Sequence, residues 1–143
     1  MKKFLNRTST IFLVAAIGML SCKEDEVKSS TLGRWSIDTI AYNGVDVRAC
    51  LNINILHLEK EYCTLPELLA TDCGVTANYT AKDGSWSITE KSPLYLSINA
   101  NNDIFRGKYD VKFIDDTVSR MLIMELTSKK TRIKCRKGLS NYE

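Results

Sequence analysis

The sequence has little of what catalytic and metal centres usually require. Its 143 residues include a single histidine, His57. No G-x-S-x-G, Walker loop or H-E-x-x-H is present, so the common hydrolase, nucleotide-binding and zinc-protease signatures are missing. A lone imidazole in an apolar segment is usually structural. We therefore expect a protein that is not an enzyme and that carries no metal and no cofactor.

Long apolar runs are also scarce, and the most prominent one lies near the N-terminus. Residues 11–20 are almost entirely apolar, follow Lys2, Lys3 and Arg7, and belong to a 21-residue stretch without an acidic residue. As a helix, ten residues reach about 15 Å, roughly half of the hydrocarbon core of a bilayer. The segment is too short for a stable membrane anchor and has the pattern of a secretory signal peptide over residues 1–21.

The end of this segment resembles a lipobox, in the residues Met19-Leu20-Ser21-Cys22. The resemblance implies cleavage before Cys22 and attachment of a diacylglyceryl group to its thiol. Stable membrane anchoring needs more than one acyl chain, because each buried CH₂ contributes about 0.8 kcal/mol. We therefore expect a lipid anchor on Cys22 and an outer-membrane lipoprotein of the cell envelope.

The residues after the lipobox are polar and acidic. Lys23-Glu24-Asp25-Glu26 resembles the export tag of surface lipoproteins in the Bacteroidota, and the alternative is an acidic tether that faces the periplasm. The stretch from Lys23 to Thr31 has one valine and no aromatic residue, too little apolar surface to fold on its own. We expect a lipidated flexible tether over 22–31, a folded domain over 32–137 and a C-terminal tail over 138–143.

An excess of positive charge is also missing once the predicted signal is removed. The chain has 20 basic and 17 acidic residues, and Lys2, Lys3 and Arg7 leave with the signal. Seventeen basic residues then face 17 acidic ones, which gives a formal net charge of zero. Without a basic excess there is no support for nucleic-acid binding.

Four cysteines remain after Cys22, namely Cys50, Cys63, Cys73 and Cys135. An even number of cysteines in an exported chain predicts two disulfides. A zinc site is the rival interpretation, but the chain has no C-x-x-C pair and only one histidine.

From Gly33 onward, apolar and polar residues alternate with the period of half-buried strands. The pattern predicts eight strands, with a bulge in the second and one helical turn at 66–70. The predicted strands are 35–39, 51–58, 62–65, 86–89, 94–98, 105–113, 121–127 and 131–136. Strands joined by hairpins expose edges unless the sheet closes, so a barrel is the simplest solution.

The residues Leu32-Gly33-Arg34-Trp35 resemble the G-x-W motif of lipocalins and of bacterial lipocalin-like lipoproteins. The stretches 84–88, 94–96 and 105–111 resemble later strands of that group, and the likeness covers roughly 32–137. The resemblance implies an all-β fold, an eight-stranded antiparallel meander closed as a lipocalin-like barrel. The cysteine-rich stretch from Cys50 to Cys73 departs from the family at what would be the open mouth.

The resemblance also implies particular site residues. Trp35 would plug one end of the barrel, and Arg132, Lys134 or Arg136 from the last strand would cover it with a cation–π contact of about 0.5–2 kcal/mol. An eight-stranded barrel holds either side chains or one small ligand. The residues expected to line such a cavity are Ile37, Trp86, Ile88, Tyr109, Val111 and Phe113.

The strand count bears on the disulfide pairing. With eight antiparallel strands, Cys50 and Cys73 lie at one end of the barrel and Cys63 and Cys135 at the other. We therefore predict the pairs Cys50–Cys73 and Cys63–Cys135. A ninth strand at 78–80 would move Cys135 to the opposite end and exclude this pairing.

Two functions follow from these expectations. The first is a binding module that holds a small apolar ligand inside the barrel. The second is a structural, interaction or inhibitor protein with a filled barrel and no small-molecule ligand. In either case an outer basic face could contact anionic envelope glycans or lipid headgroups, or it could simply be solvated. Its residues are Arg106, Lys108, Lys112, Lys129, Lys130, Arg132, Lys134, Arg136 and Lys137.

Overall fold

The computed structural model describes residues 22–67, 73–76, 78 and 82–139. The chain consists of two compact units, an N-terminal segment that ends at Thr31 and a β domain that follows it. The β domain contains nine strands, in chain order β1 (Gly33–Tyr42), β2 (Val45–Asp46), β3 (Ile55–Leu58), β4 (Tyr62–Thr64), β5 (Asp83–Ile88), β6 (Tyr95–Ala100), β7 (Gly107–Asp116), β8 (Met121–Thr127) and β9 (Thr131–Gly138). A short 3-10 helix spans Arg48–Cys50.

Eight of these strands close into a barrel. The order β1-β3-β4-β5-β6-β7-β8-β9 is completed by pairing of β1 with β9, and every pair is antiparallel. The two-residue strand β2 pairs only with the end of β1. The predicted all-β, eight-stranded closed meander is therefore confirmed. The alternation of apolar and polar residues explains this architecture. A sheet of hairpin-linked strands with one apolar face buries that face when it closes into a barrel.

The short strand β2 was not predicted. It forms a tight hairpin with β1 through Asn43 and Gly44, both of which have positive φ angles of 50° and 82°. Asn-Gly at two positive-φ positions is the usual chemistry of a two-residue hairpin turn. The dipeptide was thus the available signal for β2.

Two strands were predicted to begin more than one residue too early. Residues 51–54 lie outside the strands because Asn52 is tied to Glu67: its amide N–H and side-chain Nδ2 both donate to Glu67, at 2.8 Å each. The strand predicted over 105–113 begins instead at Gly107, since Phe105 is buried in the preceding loop. At 66–70, Pro66 and Glu67 are not helical, and 68–70 lie outside the described residues. Asn78 is not in a strand, and residues 79–80 also lie outside the described part.

The barrel has two ends that differ in construction. At the proximal end β1 begins at Gly33, opposite Leu58, and the β7–β8 hairpin turns after Asp116. At the distal end the β8–β9 hairpin turns at 128–130, next to the β1–β2 turn. Gly33, the first residue of the barrel, therefore lies at the proximal end.

The core fills the barrel with side chains that alternate along the strands. On β1, Trp35 and Ile37 point inward, and a bulge between Ile37 and Thr39 shifts the inward positions to Ile40 and Tyr42. Arg48 Nε donates a 3.1 Å hydrogen bond to the Ile37 carbonyl at this bulge. Bulges that re-aim side chains in this way increase local curvature, which helps a sheet to close.

The N-terminal unit differs from the prediction of an unstructured tether. Residues Cys22–Thr31 form a helix, α1, whose last residue Thr31 donates a 2.7 Å hydrogen bond from Oγ1 to the Val27 carbonyl. Glutamate and lysine are good helix formers, and Lys28 in the last turn suits the helix dipole. The low apolar content excluded a packed core but did not exclude a helix. No helix in the described part of the chain is both long and apolar enough to cross a membrane.

Candidate functional site

The strongest sequence motif, Gly33-Arg34-Trp35, places an indole inside the proximal end of the barrel. Trp35 has no exposed surface, and its ring centroid lies 6.3 Å from that of Phe113 on β7. The ammonium of Lys137 lies 4.6 Å from the Trp35 ring centroid. Lys137 Nζ also donates a 2.7 Å hydrogen bond to the carbonyl of Leu32. Burial lowers the pKa of Lys137, because desolvation disfavours its charged form.

The cation over the indole is therefore Lys137, and the predictions of Arg132, Lys134 or Arg136 were wrong. On β9 the buried residues are Thr131, Ile133 and Cys135, so the odd positions point inward and the even ones outward. Lys134 lies 3.6 Å from Glu125 and Arg136 lies 3.0 Å from Asp38 on the outer surface. The period-two pattern of Ile133 and Cys135 was the signal that would have selected Lys137.

The six residues expected to line a ligand cavity all belong to the interior, but they form two groups. Ile37, Trp86 and Tyr109 are buried members of the core, with at most 7% of their surface exposed. Ile88, Val111 and Phe113 are partly buried and pack against that core toward the proximal end. The indole Nε1 of Trp86 donates to the Glu59 carbonyl. All six belong to the core cluster that contains Trp35 or pack against it.

The distal end, where a lipocalin-like barrel would open, is covered from two sides. The loop between β2 and β3 contributes Val47 and Leu51, and the loop between β6 and β7 contributes Ile104 and Phe105, all buried. Cys50 and Cys73 form a disulfide with Cα atoms 6.0 Å apart, which joins the first of these loops to the segment after β4. The predicted pair Cys50–Cys73 is confirmed.

Buried polar groups hold the β6–β7 loop in place over the distal end. The Tyr109 hydroxyl donates a 2.7 Å hydrogen bond to the Phe105 carbonyl, and Thr131 Oγ1 donates a 2.8 Å bond to the Ile104 carbonyl. Asn102 Oδ1 accepts a 3.2 Å bond from the amide of Ile104. Burial raises the pKa of Tyr109, so its hydroxyl keeps the proton that it donates.

The second predicted disulfide, Cys63–Cys135, was wrong, because both cysteines are free and buried. Cys63 pairs in register with Leu58, which lies opposite Gly33, whereas Cys135 lies opposite Ile37. The two cysteines are thus offset by four residues along β1, about 13 Å at 3.3 Å per residue, beyond the usual Cα separation of about 4.4–6.8 Å. Burial raises the pKa of Cys63 to about 11 and also raises that of Cys135, so both remain unreactive thiols.

His57 lies on the outer face of β3. Its Nδ1 is 3.5 Å from Glu59 Oε1, and its side chain is 30% exposed. It borders a surface groove of about 350 Å³ together with Ile53, Ile55 and Pro66. Within the described ranges, no three His, Cys, Asp or Glu side chains are grouped as metal ligands would be.

The outer basic residues fall into distinct environments. Three of them form ion pairs: Arg106 with Asp103, Lys134 with Glu125 and Arg136 with Asp38. Lys108 Nζ sits 3.9 Å from the centroid of the Tyr95 ring, and Lys112 lies opposite Glu125 in register. For the part of the chain that the structure describes, Lys129, Lys130 and Arg132 have no ion-pair partner.

Comparison with protein-family models, with curated proteins and with solved structures found no match. Function must therefore be argued from the geometry of the barrel itself.

Proposed function

We propose that this chain is an exported, lipid-anchored protein of the bacterial cell envelope whose lipocalin-like barrel acts as a rigid interaction module with a filled interior. The observation that carries the proposal is the burial of the interior. Trp35, Leu56, Leu96, Tyr109, Met124 and Cys135, from six of the eight barrel strands, have no exposed surface at all. Side chains with no accessible surface are packed against other protein atoms, which supports an interior filled by side chains rather than by a ligand.

The covered distal end supports the same function. A transport barrel needs an entrance, and the loops that carry Val47, Leu51, Ile104 and Phe105 lie where an entrance would be. The Cys50–Cys73 disulfide and the hydrogen bonds of Tyr109 and Thr131 fix these loops rather than leaving them free to open. What remains for recognition is the outer surface.

Export and anchoring are supported by two separate features. A disulfide is stable outside the cytoplasm, where thiols are not kept reduced, and Cys50–Cys73 is such a bond. The lipobox-like Met19-Leu20-Ser21-Cys22 provides the acceptor for lipid. The first barrel strand begins at the proximal end with Gly33, which follows the segment that carries Cys22.

Anchoring is tested by labelling cells that express the chain with a palmitate analogue. We expect the label on the wild-type protein and its loss in Cys22→Ala, whereas Cys63→Ala should keep the label and serves as the matched cysteine control. Protease added to intact cells then distinguishes a surface-facing from a periplasmic barrel. An unprocessed, unlabelled and fully reduced protein in the cytosol would contradict the proposal.

The filled interior is tested by native mass spectrometry of the purified protein, followed by organic extraction. We expect the mass of the polypeptide with its own lipid and no additional small molecule. A stoichiometric ligand that is released by extraction would overturn the filled-barrel function.

A second function, binding of a small apolar ligand, is favoured by one specific observation at the proximal end. Ile88, Val111, Phe113 and Leu122 pack against the core but are only partly buried, which leaves apolar surface beside Trp35. Under this alternative, added palmitate should bind with 1:1 stoichiometry and quench Trp35 fluorescence. Val111→Trp, which places a bulky side chain on this partly exposed apolar surface, should abolish that binding without loss of fold, and Ile114→Trp on the opposite face of β7 is the control.

A further inference from the structure

One row of residues crosses the outer surface of the barrel near its distal end. Register places Ala41, Arg132, Thr127, Asp110 and Tyr95 side by side on β1, β9, β8, β7 and β6. The β8–β9 turn lies directly beyond this row and carries Lys129 and Lys130. With Lys108, whose ammonium covers the Tyr95 ring, these cations form a distal basic patch, defined as Lys108, Lys129, Lys130 and Arg132.

Three cations of the patch, Lys129, Lys130 and Arg132, differ from the ion-paired cations of the outer face. Arg106, Lys134 and Arg136 are held by carboxylates at hydrogen-bonding or ion-pair distance. In the described ranges no carboxylate pairs with Lys129, Lys130 or Arg132. The neighbours of Arg132 in the row are Ala41 and Thr127, which carry no charge.

Two carboxylates limit the patch on either side. Asp110 lies on β7 and Asp46 lies opposite Ala41 on β2, so each is two strands from Arg132. At about 4.8 Å per strand this is a separation of about 10 Å between backbones, close to the Debye length of about 8 Å at physiological salt. Salt therefore weakens their repulsion of an anion bound at Arg132 without abolishing it, and the four cations of the patch outnumber these two carboxylates.

The backbone beneath the patch is held rigidly. Ser128 Oγ accepts a 2.9 Å hydrogen bond from the Thr131 amide and a 3.3 Å bond from the Lys130 amide. The Lys130 carbonyl accepts a 2.7 Å bond from the amide of Asn43, which ties the β8–β9 turn to the β1–β2 turn. Because the turn is fixed by these bonds, little backbone ordering remains to oppose ligand binding.

Two clefts flank the turn and share Ser128 and Lys129. One, of about 400 Å³, is bordered by Asn43, Gly44, Lys130 and Arg132. The other, of about 470 Å³, is bordered by Tyr95, Lys108, Asp110 and Thr127. The first cleft offers the Asn43 amide beside the cations, and the second offers the hydroxyls of Tyr95 and Thr127 together with the Asp110 carboxylate. These groups can hydrogen-bond a ligand that carries hydroxyls as well as negative charge.

We propose that the distal basic patch binds an acidic polysaccharide, with its carboxylate, sulfate or phosphate groups at Lys129, Lys130 and Arg132 and its sugar hydroxyls in the two clefts. Preference for a glycan over a lipid headgroup rests on the proposed function, because the anchored segment precedes Gly33 at the proximal end of the barrel, whereas the patch lies near the distal end. Binding itself does not depend on the anchor. The filled interior leaves this outer surface as the place where recognition occurs.

The proposal is tested by calorimetric titration of the purified protein with dextran sulfate and with polygalacturonate, with neutral dextran as the uncharged control. We expect binding to at least one acidic polymer, no binding to neutral dextran, and weakening as salt is raised. The triple variant Lys129→Gln, Lys130→Gln, Arg132→Gln should bind about tenfold to a hundredfold more weakly, since charged hydrogen bonds are lost.

The matched control is Arg106→Gln, Lys134→Gln, Arg136→Gln, which removes the same charge from cations that already have carboxylate partners. It should change the affinity by less than about threefold, as for screened surface charges. Equal loss in both triple variants would show a dependence on net charge alone and overturn the site. Asp110→Asn removes a bordering carboxylate and should tighten binding, a gain that a misfolded variant cannot produce.

Two further arms separate the proposal from its competitors. Vesicles of phosphatidylglycerol should bind no better than vesicles of phosphatidylcholine, and polyglutamate should bind more weakly than polygalacturonate. Preferential binding to the anionic vesicles or to polyglutamate would overturn the assignment to a glycan. Loss of palmitate labelling in the earlier experiment would leave glycan binding intact, so failure of the anchor and failure of the site are distinguishable.

Discussion

The two ends of the barrel are closed by different means. The distal end is covered by loops that a disulfide and buried hydrogen bonds fix in place, with Cys50–Cys73 and Tyr109 as the main elements. The proximal end is closed by one indole, Trp35, under the ammonium of Lys137, with partly exposed apolar side chains around it. Loops without regular structure need a disulfide or hydrogen bonds to fix their conformation. A side chain on a strand is already positioned by the backbone hydrogen bonds between strands.

This difference separates stability from recognition. At the distal end, buried side chains of the covering loops fill the interior of the barrel. The rigid β8–β9 turn at the same end carries cations that form no ion pair within the described residues. Closing the proximal end by packing leaves apolar surface but few fixed polar groups. The proposed glycan site and the alternative apolar site therefore lie at opposite ends, and the following changes test each end separately.

The largest effect is expected at the proximal end. Trp35→Ala should lower the free energy of unfolding by about 3–5 kcal/mol, because a fully buried indole is replaced by a cavity. Urea denaturation followed by circular dichroism measures the change. Ile123→Ala, at a partly exposed position on β8, is the control and should cost clearly less. A loss below about 1 kcal/mol would show that Trp35 does not close this end.

The next effect is expected at the distal end. Removing the disulfide with Cys50→Ala, Cys73→Ala should cost about 3 kcal/mol, as expected for a cross-link with a sequence separation of 23. Wild-type protein in reducing buffer should fall to the same stability as the double variant.

The free cysteines provide the control for this comparison. Cys63→Ala, Cys135→Ala removes two buried thiols, yet it should leave the response to reducing buffer unchanged. If reductant has no effect on the wild-type protein, covalent closure of the distal end is contradicted.

A smaller effect isolates the hydrogen bonds of the distal end. Tyr109→Phe removes the hydroxyl that donates to the Phe105 carbonyl and should cost about 1–3 kcal/mol, the range for leaving a buried acceptor unsatisfied. Hydrogen exchange of the 102–106 backbone should accelerate, while exchange on β3 should not. Tyr62→Phe on the exposed side of β4 is the matched control.

Period-two patterning predicted most of the fold, because each barrel strand has one buried face. It placed all eight barrel strands and, through them, the Cys50–Cys73 disulfide. It did not predict where regular strand pairing is replaced by individual hydrogen bonds, as between Asn52 and Glu67. Such bonds link residues far apart in sequence, so no periodic pattern reveals them. The prediction of the second disulfide was wrong for a related reason. The number of strands indicates which end of the barrel a cysteine lies near, but not its position along the strand.

The candidate site was less predictable than the fold. Family resemblance supplied Trp35, but the choice of Arg132, Lys134 or Arg136 as its cation ignored the parity that Ile133 and Cys135 already showed. Which outer cations lack partners depends on register across four strands, as for Arg132 between Ala41 and Thr127. Single-sequence reasoning has no access to that register.

The smallest effect concerns Lys137, where two interactions oppose each other. The indole and the Leu32 carbonyl favour the charged ammonium, while burial disfavours it and lowers its pKa. With a lowered pKa, the unfolded chain binds more protons than the folded chain between the folded and the unfolded pKa. Stability should then rise as pH is raised toward the ordinary lysine value of 10.5.

The difference between wild type and Lys137→Met isolates this contribution, because the other titrating groups are common to both proteins. We expect the wild type to gain stability relative to the variant as pH is raised toward the ordinary lysine pKa of 10.5, measured by urea denaturation at each pH. Lys134→Met, whose ammonium is on the outer surface near Glu125, should lack this gain. If the wild type instead loses stability over that interval, the cation–π contact outweighs burial, and the proximal end is closed by charge as well as by packing.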